Sequence, residues 1–255
     1  MTTIYREYQI PLPFTIKDYR VAQLYTVAMI SANEATGDTS IKIAENKDIH
    51  DEKYGACRYT EKIFYLNSKV PRAIRAVVPK KALIVEEKAF NAFPTCHTFY
   101  TNQAFSTDTF SASVVSTHVN NELTLKNALN IDCALYDKTK VKVIDVCCNI
   151  VNPQYDPTNT PLKINDGCPL KPEWYKNPSY DVMMSYKFVT LKFDCFGLGW
   201  LVHEIEKQID KIFTSSHQQM VCTMDEWHGK SIEDIRELED NIREKLNEKE
   251  GKIIE

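Results

Sequence analysis

Apolar and polar residues alternate along much of this chain, which is the period-two pattern of strands that cover a core with one face. Eight such runs, joined mostly by short connections, predict a large antiparallel sheet. The predicted strands span residues 5–12, 40–45, 56–67, 83–93, 96–102, 109–118, 140–148 and 185–194. The run at 140–148 (KVKVIDVCC) is apolar enough to favour a central position in that sheet.

Two helices are predicted in the first third of the chain. Thr15 is a suitable N-cap for a helix over residues 16–35, and Gly37 would end it. Pro71 opens a short helix (PRAIRAVV) at a position where proline is tolerated.

The clearest helical periodicity lies near the end of the chain, where apolar residues from Leu198 to Phe213 form one continuous stripe. It follows a long loop at 149–178, which contains six of the eleven prolines. Ser231 and Asp234 form a capping-box-like start to a last, highly charged helix and tail over residues 231–255.

This succession of strands followed by a late long helix is an α+β pattern. A curved antiparallel sheet folded around the C-terminal helix would leave an apolar interior. We expect residues 1–255 to form a single domain, since the length suits one large core.

Four polar residues stand where a core strand would carry apolar ones. Thr60 and Lys62 share a strand face, and Glu87 and Asn91 share a face of the next predicted strand. If they point inward, hydrogen-bonding partners must offset their desolvation, and a buried polyol would supply such partners. The alternative from spacing alone is a solvated sheet face with cross-strand ion pairs.

The composition excludes several functional classes. The net charge of −4 gives no basic excess for nucleic-acid binding. The start of the chain lacks the features of a signal peptide, and no apolar run approaches the roughly 18 residues that span a bilayer. We therefore expect a cytoplasmic protein whose membrane contact is local and transient.

Cysteines and histidines show no catalytic or metal-binding pattern. The eight cysteines have no CxxC spacing, and we expect most of them to be buried, reduced and apolar in character. The six histidines have no HExxH or comparable spacing, and we expect His203 and His217 on helix surfaces. We predict no catalytic residues, no metal site and no cofactor.

Three long motifs resemble the phosphatidylinositol transfer proteins, in the order of that family. They are YTEKIFYLNSKVP (residues 59–71), EKAFNAFPTCHT (residues 87–98) and SYKFVTLKFDCFGL (residues 185–198). The resemblance extends over nearly the whole chain. It implies a START-like, helix-grip fold whose cavity holds one phospholipid.

The resemblance also implies the headgroup site. Thr60, Lys62, Glu87 and Asn91 match the family positions that hydrogen-bond the inositol ring. Two further residues match positions associated with inositol-lipid binding, namely Lys187 and Glu239. For these two, an ion pair between the sheet and the last helix is an equally good interpretation.

Four residues match family positions around the lipid phosphate, namely Gln23, Cys96, Thr98 and Ser116. Each of the polar ones is also an ordinary hydrogen-bonding core residue, so the assignment depends on the resemblance. Cys96 matches the family cysteine that confers alkylation sensitivity. As an unassisted thiol it is expected to be inert packing.

Three of the chain's departures from the family affect its predicted function. At the membrane-inserting tip, where the family often has two tryptophans, it has Cys195 and Phe196, a weaker interfacial anchor. Ser216 replaces an aromatic residue linked to phosphatidylcholine binding, which places that ligand in doubt. Leu162 replaces the family's phosphorylatable serine.

The resemblance implies a monomeric phospholipid transfer protein that carries phosphatidylinositol, with phosphatidylcholine as a second candidate ligand. An alternative is a lipid sensor that presents phosphatidylinositol to phosphoinositide kinases without bulk transfer. A third hypothesis is a START-like enzyme that uses Glu87 as its acid or base.

Overall fold

The computed structural model describes residues 2–34, 40–66, 70–195 and 197–253. Its strands are β1 (Thr2–Leu12), β2 (Ser40–Asp51), β3 (Gly55–Tyr65), β4 (Ile84–Ala92), β5 (Thr95–Asn102), β6 (Phe110–Asn120), β7 (Lys140–Val143) and β8 (Met183–Phe193). Its α-helices are α1 (Ile16–Glu34), α2 (Arg72–Arg75), α3 (Cys133–Tyr136), α4 (Leu201–Cys222), α5 (Met224–Trp227) and α6 (Ile232–Ile253).

The eight strands form one sheet in the order β2-β3-β4-β5-β6-β8-β1-β7. Every neighbouring pair is antiparallel except β1 and β7, which are parallel. This large curved sheet with a long C-terminal helix confirms the predicted α+β, helix-grip fold class.

The predicted central strand at 140–148 is wrong. Only Lys140–Val143 is a strand, and it lies at the edge of the sheet. Its two valines point to solvent, with 43% exposure at Val141 and 53% at Val143. The chain then turns, because the Asp145 carboxylate accepts a hydrogen bond from the Cys147 N–H at 2.9 Å. The apolar residues of this turn are buried beneath it instead of in a strand.

Three helices lie against one face of the sheet, which we call the inner face. α1 contacts β2 and β6, α4 contacts β8 and β1, and α6 contacts β2. On the opposite, outer face, the segment between β6 and β7 covers part of β8. There the Tyr186 hydroxyl accepts from the Leu125 N–H at 2.9 Å and donates to the Glu122 carbonyl at 2.7 Å.

Local side-chain chemistry determines where α1 and α6 begin. The Thr15 hydroxyl accepts from the Asp18 N–H at 3.3 Å, and Ser231 does the same for Asp234 at 3.1 Å. Each aspartate in turn accepts from the cap residue, which completes a reciprocal cap. Both predicted helix starts are confirmed, while the predicted stop at Gly37 lies outside the described residues.

An ion network fixes α4 to strands β1 and β7. Arg6 Nε lies 2.6 Å from Glu206 Oε1, and Lys142 Nζ lies 2.7 Å from the same oxygen. Lys142 Nζ also lies 2.8 Å from Asp210 Oδ2, and the Tyr8 hydroxyl donates to Asp210 at 2.5 Å. Burial of the Glu206 carboxyl opposes ionisation, but the two cations outweigh it and hold its pKa at about 2.

The residues at 149–178 form the predicted long loop, with only single 3-10 turns at Pro153–Tyr155, Lys163–Asn165 and Trp174–Lys176. Gln218, fully buried on α4, holds its start. The Gln218 amide donates to the carbonyls of Val146 and Cys148, both at 3.2 Å, and accepts from the Val151 N–H at 3.1 Å.

The expectation that most cysteines are buried is wrong. All eight are free; only Cys57 and Cys147 are buried, and three are exposed, namely Cys133, Cys148 and Cys168. The exposed ones lie in irregular segments or a short helix, where no strand or helix periodicity places them against the core.

Candidate lipid-binding site

One register line crosses five neighbouring strands and brings several predicted site residues together. Directly paired residues of an antiparallel sheet project from the same face. The line joins, in order across the strands, Arg58, Asn91, Cys96, Ser116 and Lys187. All five lie on the inner face, because the last of them packs against a ring on α4.

A second line on the same face joins Lys62 of β3, Glu87 of β4 and Tyr100 of β5. Lys62 is only 7% exposed, and its Nζ lies 3.4 Å from the Ser31 hydroxyl of α1. Within the described ranges, no carboxylate lies within 4.0 Å of that ammonium. The alternative of a solvated face with cross-strand ion pairs is therefore wrong for Lys62.

Tyr100 is a further candidate site residue, which the sequence reasoning missed. Burial, reinforced by the negative charge of the adjacent Glu87 carboxylate, raises the pKa of Tyr100 well above its usual value. Its hydroxyl therefore stays protonated beside Glu87. The sequence could have indicated Tyr100, because it follows Cys96 and Thr98 at the strand period of two and therefore shares their face of the sheet.

Asn46 is a second missed residue, and it connects the predicted residues at the β2 edge. Its Oδ1 accepts from Arg58 Nε at 2.8 Å and from the Thr60 hydroxyl at 3.3 Å. Its Nδ2 donates to Glu239 at 3.4 Å. The register shifts between Ile43 and Glu45, so the alternation that would have shown Asn46 on the inner face is interrupted.

Asn91 presents an unused acceptor. Its side-chain Oδ1 is buried and has no hydrogen-bond partner among the described residues. A buried acceptor without a partner costs free energy unless a ligand or water supplies a donor. The structure thus leaves one member of the predicted inositol set ready for an external hydroxyl.

Lys187 and Glu239 do not pair with each other, so the ion-pair interpretation of these two residues is wrong. Glu239 is held by Arg236 at 2.6 Å and by Asn46. Lys187, 7% exposed, has its Nζ 5.6 Å from the ring centroid of Phe213 on α4. Among the described residues, no carboxylate lies within ion-pair distance of it.

Two of the predicted phosphate residues, Cys96 and Ser116, lie on the register line of Lys187. Ser116 is 4% exposed and pairs with both Cys96 and Lys187 in the sheet register. Cys96 Sγ lies 3.8 Å from the Thr98 hydroxyl, and burial raises the pKa of the Cys96 thiol. An un-ionised thiol is a poor nucleophile. Gln23, half-buried, comes from α1.

The end of β8 holds the predicted membrane contact. Phe196 lies outside the described residues, whereas Cys195 is half-buried and packs with Leu198 against an apolar cluster around Phe193. Nearby Trp200 is 48% exposed, and it was missed because it follows the matched motif instead of lying within it. None of the described helices combines the length and apolar composition needed to cross a bilayer.

The other departures are placed as follows. Leu162 is 2% exposed, so this position of the loop is used for packing. The Ser216 hydroxyl donates to the Phe213 carbonyl at 3.3 Å on α4.

The two predicted surface histidines differ in exposure. His203 is exposed as predicted, but the surface prediction for His217 is wrong, since it is 3% exposed. Over the described ranges, no three His, Cys, Asp or Glu side chains are grouped to hold a metal ion.

Comparisons with known proteins agree with this architecture. A family model described as phosphatidylinositol transfer protein matches residues 3–244. The chain is 34% identical to phosphatidylinositol transfer protein 1 of Dictyostelium discoideum, over 96% of each chain. It is 35% identical to the phosphatidylinositol transfer protein beta isoform of Bos taurus, over 94% of this chain and 92% of that protein.

A third relative is larger. The membrane-associated phosphatidylinositol transfer protein 2 of Mus musculus is 30% identical over 99% of this chain, which corresponds to 20% of that protein. The family model matches most of this chain, and two relatives align with it over more than nine-tenths of its length. The chain belongs to the phosphatidylinositol transfer protein family.

Proposed function

We propose that this protein binds one phospholipid between its sheet and helices and exchanges it between membranes, with phosphatidylinositol as its main ligand. The observation that carries the proposal is the group of buried polar side chains on the inner face, where the Asn91 Oδ1 has no partner among the described residues. In this proposal the inositol ring lies among Thr60, Lys62, Glu87 and Asn91.

The chemistry of these four residues suits inositol. Its hydroxyls both donate and accept, while a carboxylate accepts, an ammonium donates, and an amide and a hydroxyl do both. Choline has no hydroxyls to match this set, so the buried Asn91 Oδ1 would stay without a donor against a choline headgroup. Ser216 in place of an aromatic residue also supports the inositol lipid over phosphatidylcholine.

Space for the acyl chains is supported by the exposure pattern of the inner face. The helices contact β2 on one side and β6, β8 and β1 on the other. Between these contacts, Val85 and Ala89 of β4 lie on the inner face and keep partial exposure. Burial of acyl chains there is worth about 0.8 kcal/mol per methylene. It replaces similar burial in the bilayer, so exchange is close to thermoneutral.

Transfer without catalysis agrees with the state of the reactive groups. The Cys96 thiol has a raised pKa, and Glu87 lies beside a protonated Tyr100 in a position to bind a hydroxyl. The proposal therefore includes no enzymatic step, no metal and no cofactor.

The first test is transfer of labelled phosphatidylinositol and phosphatidylcholine between liposomes, with no partner protein present. Lys62→Ala is expected to lower phosphatidylinositol transfer about tenfold or more, because hydrogen bonds from a charged group contribute roughly 1.5–3 kcal/mol. Any phosphatidylcholine transfer should be retained.

Lys88→Ala is the matched control, since Lys88 lies on β4 but is exposed and points to the outer face. Absence of transfer by folded wild type would contradict the proposal. If that protein still bound phosphatidylinositol, the alternative of a presenter for lipid kinases would gain support.

A further inference from the structure

Four buried polar side chains form a two-by-two block on the inner face of β6 and β8. Ser116 pairs directly with Lys187, and His118 pairs directly with Ser185, two residues along each strand. The four side chains are between 0% and 7% exposed. A block of this kind in the centre of a sheet needs hydrogen-bonding partners.

The protein does not supply those partners within its described residues. Both ring nitrogens of His118 and the hydroxyl of Ser185 are buried without a hydrogen bond. The His118 ring is held by Tyr19, with centroids 4.2 Å apart, and by Phe93, with centroids 5.9 Å apart. Its nitrogens are thus fixed in position by aromatic packing that leaves them unused.

The block offers mostly donors and carries a positive charge. Burial, with the neighbouring Lys187 charge, lowers the pKa of His118 well below its usual value, so its ring is neutral with one N–H donor. The two serine hydroxyls and the Lys187 ammonium are further donors. Nothing of opposite charge forms an ion pair with that ammonium in the described part of the chain.

His217 closes the block from α4. Its Nδ1 lies 2.6 Å from the Phe213 carbonyl, which can only accept, so the proton is on Nδ1. Burial lowers the His217 pKa to about 3, so the other nitrogen, Nε2, carries a lone pair. That buried acceptor has no partner within the described residues. Phe213 lies one turn before His217 on the same face of α4, and the Lys187 ammonium lies over the Phe213 ring.

We propose that His118 and Ser185 bind the lipid phosphodiester together with Ser116 and Lys187. An oxyanion satisfies several donors at once and neutralises the buried cation, whereas an apolar chain satisfies none. This inference rests on the proposed function. It adds two residues, His118 and Ser185, that act on every phospholipid whatever its headgroup.

The test compares His118→Phe with His97→Phe. Phenylalanine keeps the stack on Tyr19 and Phe93 but removes both nitrogens of His118. His97 is the matched control, because it lies on the outer face and stacks on Tyr54 at 4.5 Å. Binding of phosphatidylinositol and of phosphatidylcholine from vesicles is measured, with thermal unfolding of the lipid-free protein.

His118→Phe is expected to weaken the binding of each phospholipid that the wild type takes up by about tenfold to a hundredfold, as for loss of a hydrogen bond to a charged group. The melting temperature of the lipid-free protein should stay equal or rise, since two unpaired buried atoms are removed. Ser185→Ala should have a smaller effect in the same direction, with Ser113→Ala on the outer face as its control.

NMR of the wild type decides the question even if a variant fails to fold. When phospholipid binds, the imidazole ¹⁵N signals of His118 and the ³¹P signal of the lipid should both shift. A scalar coupling between ¹⁵N and ³¹P across the hydrogen bond should also be seen. Unchanged affinity in His118→Phe, or His118 signals that do not change on loading, would show that the block holds only water and overturn the inference. Failure of the wild type to bind any phospholipid would instead refute the proposed function.

Discussion

At the scale of single residues, two tyrosines show how the two faces of the sheet differ. Tyr59 on the outer face donates its hydroxyl to Glu61 at 2.9 Å, while Tyr100 lies beside Glu87 on the inner face. The pairs are alike in chemistry, and only one lies where the headgroup is proposed to bind. They form a natural internal comparison.

Tyr100→Phe is expected to lower phosphatidylinositol affinity about twofold to tenfold, because one hydrogen bond contributes roughly 0.5–1.5 kcal/mol. Without the phenol, the Glu87 carboxylate loses the group that orients it. The measurement is equilibrium binding of phosphatidylinositol from vesicles. Tyr59→Phe removes the same hydroxyl from the outer face, and an equal loss in that variant would contradict a headgroup role for Tyr100.

At the scale of elements, the Arg6–Glu206–Lys142 network joins the long helix α4 to two strands that are distant from it in sequence. Glu206 is the centre of this network, with a side chain only 12% exposed. Its folded pKa of about 2 lies below the usual value of 4.5, so the native state binds its proton less readily than the unfolded state.

The stability that Glu206 contributes is therefore fully present above about pH 4.5 and is lost as the pH falls toward about 2. Glu206→Gln is expected to lower the free energy of unfolding by about 2–3 kcal/mol at pH 7, with a difference from wild type that narrows below pH 4.5. Urea unfolding across pH 2–7 measures this.

Glu204→Gln is the control on the same helix, because Glu204 forms an exposed pair with Lys207 that contributes little. A constant difference between wild type and Glu206→Gln down to the lowest pH would show that the carboxylate charge is not what stabilises the network.

The elements with an uninterrupted pattern were predictable from the sequence. Strands β3 to β6 and β8 were predicted to within about two residues, because alternation is regular in each. The end of β2 was missed where the irregularity after Ile43 changes the face of the following residues. Strand β7 was predicted too long, because the buried Val146 belongs to a turn held by Asp145, and apolar content alone does not distinguish a turn from a strand.

At the scale of the whole molecule, transfer requires contact with a membrane as well as a binding site. Trp200, next to the end of β8, is 48% exposed, and Val77 near α2 is 52% exposed. Both segments pack onto the same apolar cluster, through Leu198 in one and through Ile74 and Val78 in the other. The exposed residues therefore belong to one end of the sheet.

Trp200→Ala is expected to slow liposome transfer severalfold while leaving the amount of bound lipid unchanged, because an indole favours the membrane interface. Transfer rate and lipid content of the purified protein are measured together. Ile212→Ala removes an equally exposed apolar side chain, 59% exposed, further along α4. A loss of bound lipid in Trp200→Ala would point to a role inside the protein instead.

The site was predictable only where the chain could be matched to family positions. The positions of Lys62, Glu87 and Asn91 followed from long motifs, and their binding roles stay predictions. The single domain over residues 1–255 also stays a prediction. The polar contacts of Asn46 with Thr60 and Glu239 depend on pairing between β2, β3 and α6, which no local pattern contains. Tertiary geometry also decided against the Lys187–Glu239 pair.

The sheet order has a consequence for how the chain reaches its native state. Strands β2 to β6 pair with their neighbours in sequence, but β1 pairs with β8 and β7. Until Met183–Phe193 has been made, Thr2–Leu12 has only the four-residue parallel strand Lys140–Val143 as a possible sheet partner. At translation rates of about 5–20 residues per second, that interval is roughly ten to forty seconds. During this interval the sheet formed by β2 to β6 has an unpaired edge at β6, which other chains can reach. Pairing of β8 with β6 then covers that edge.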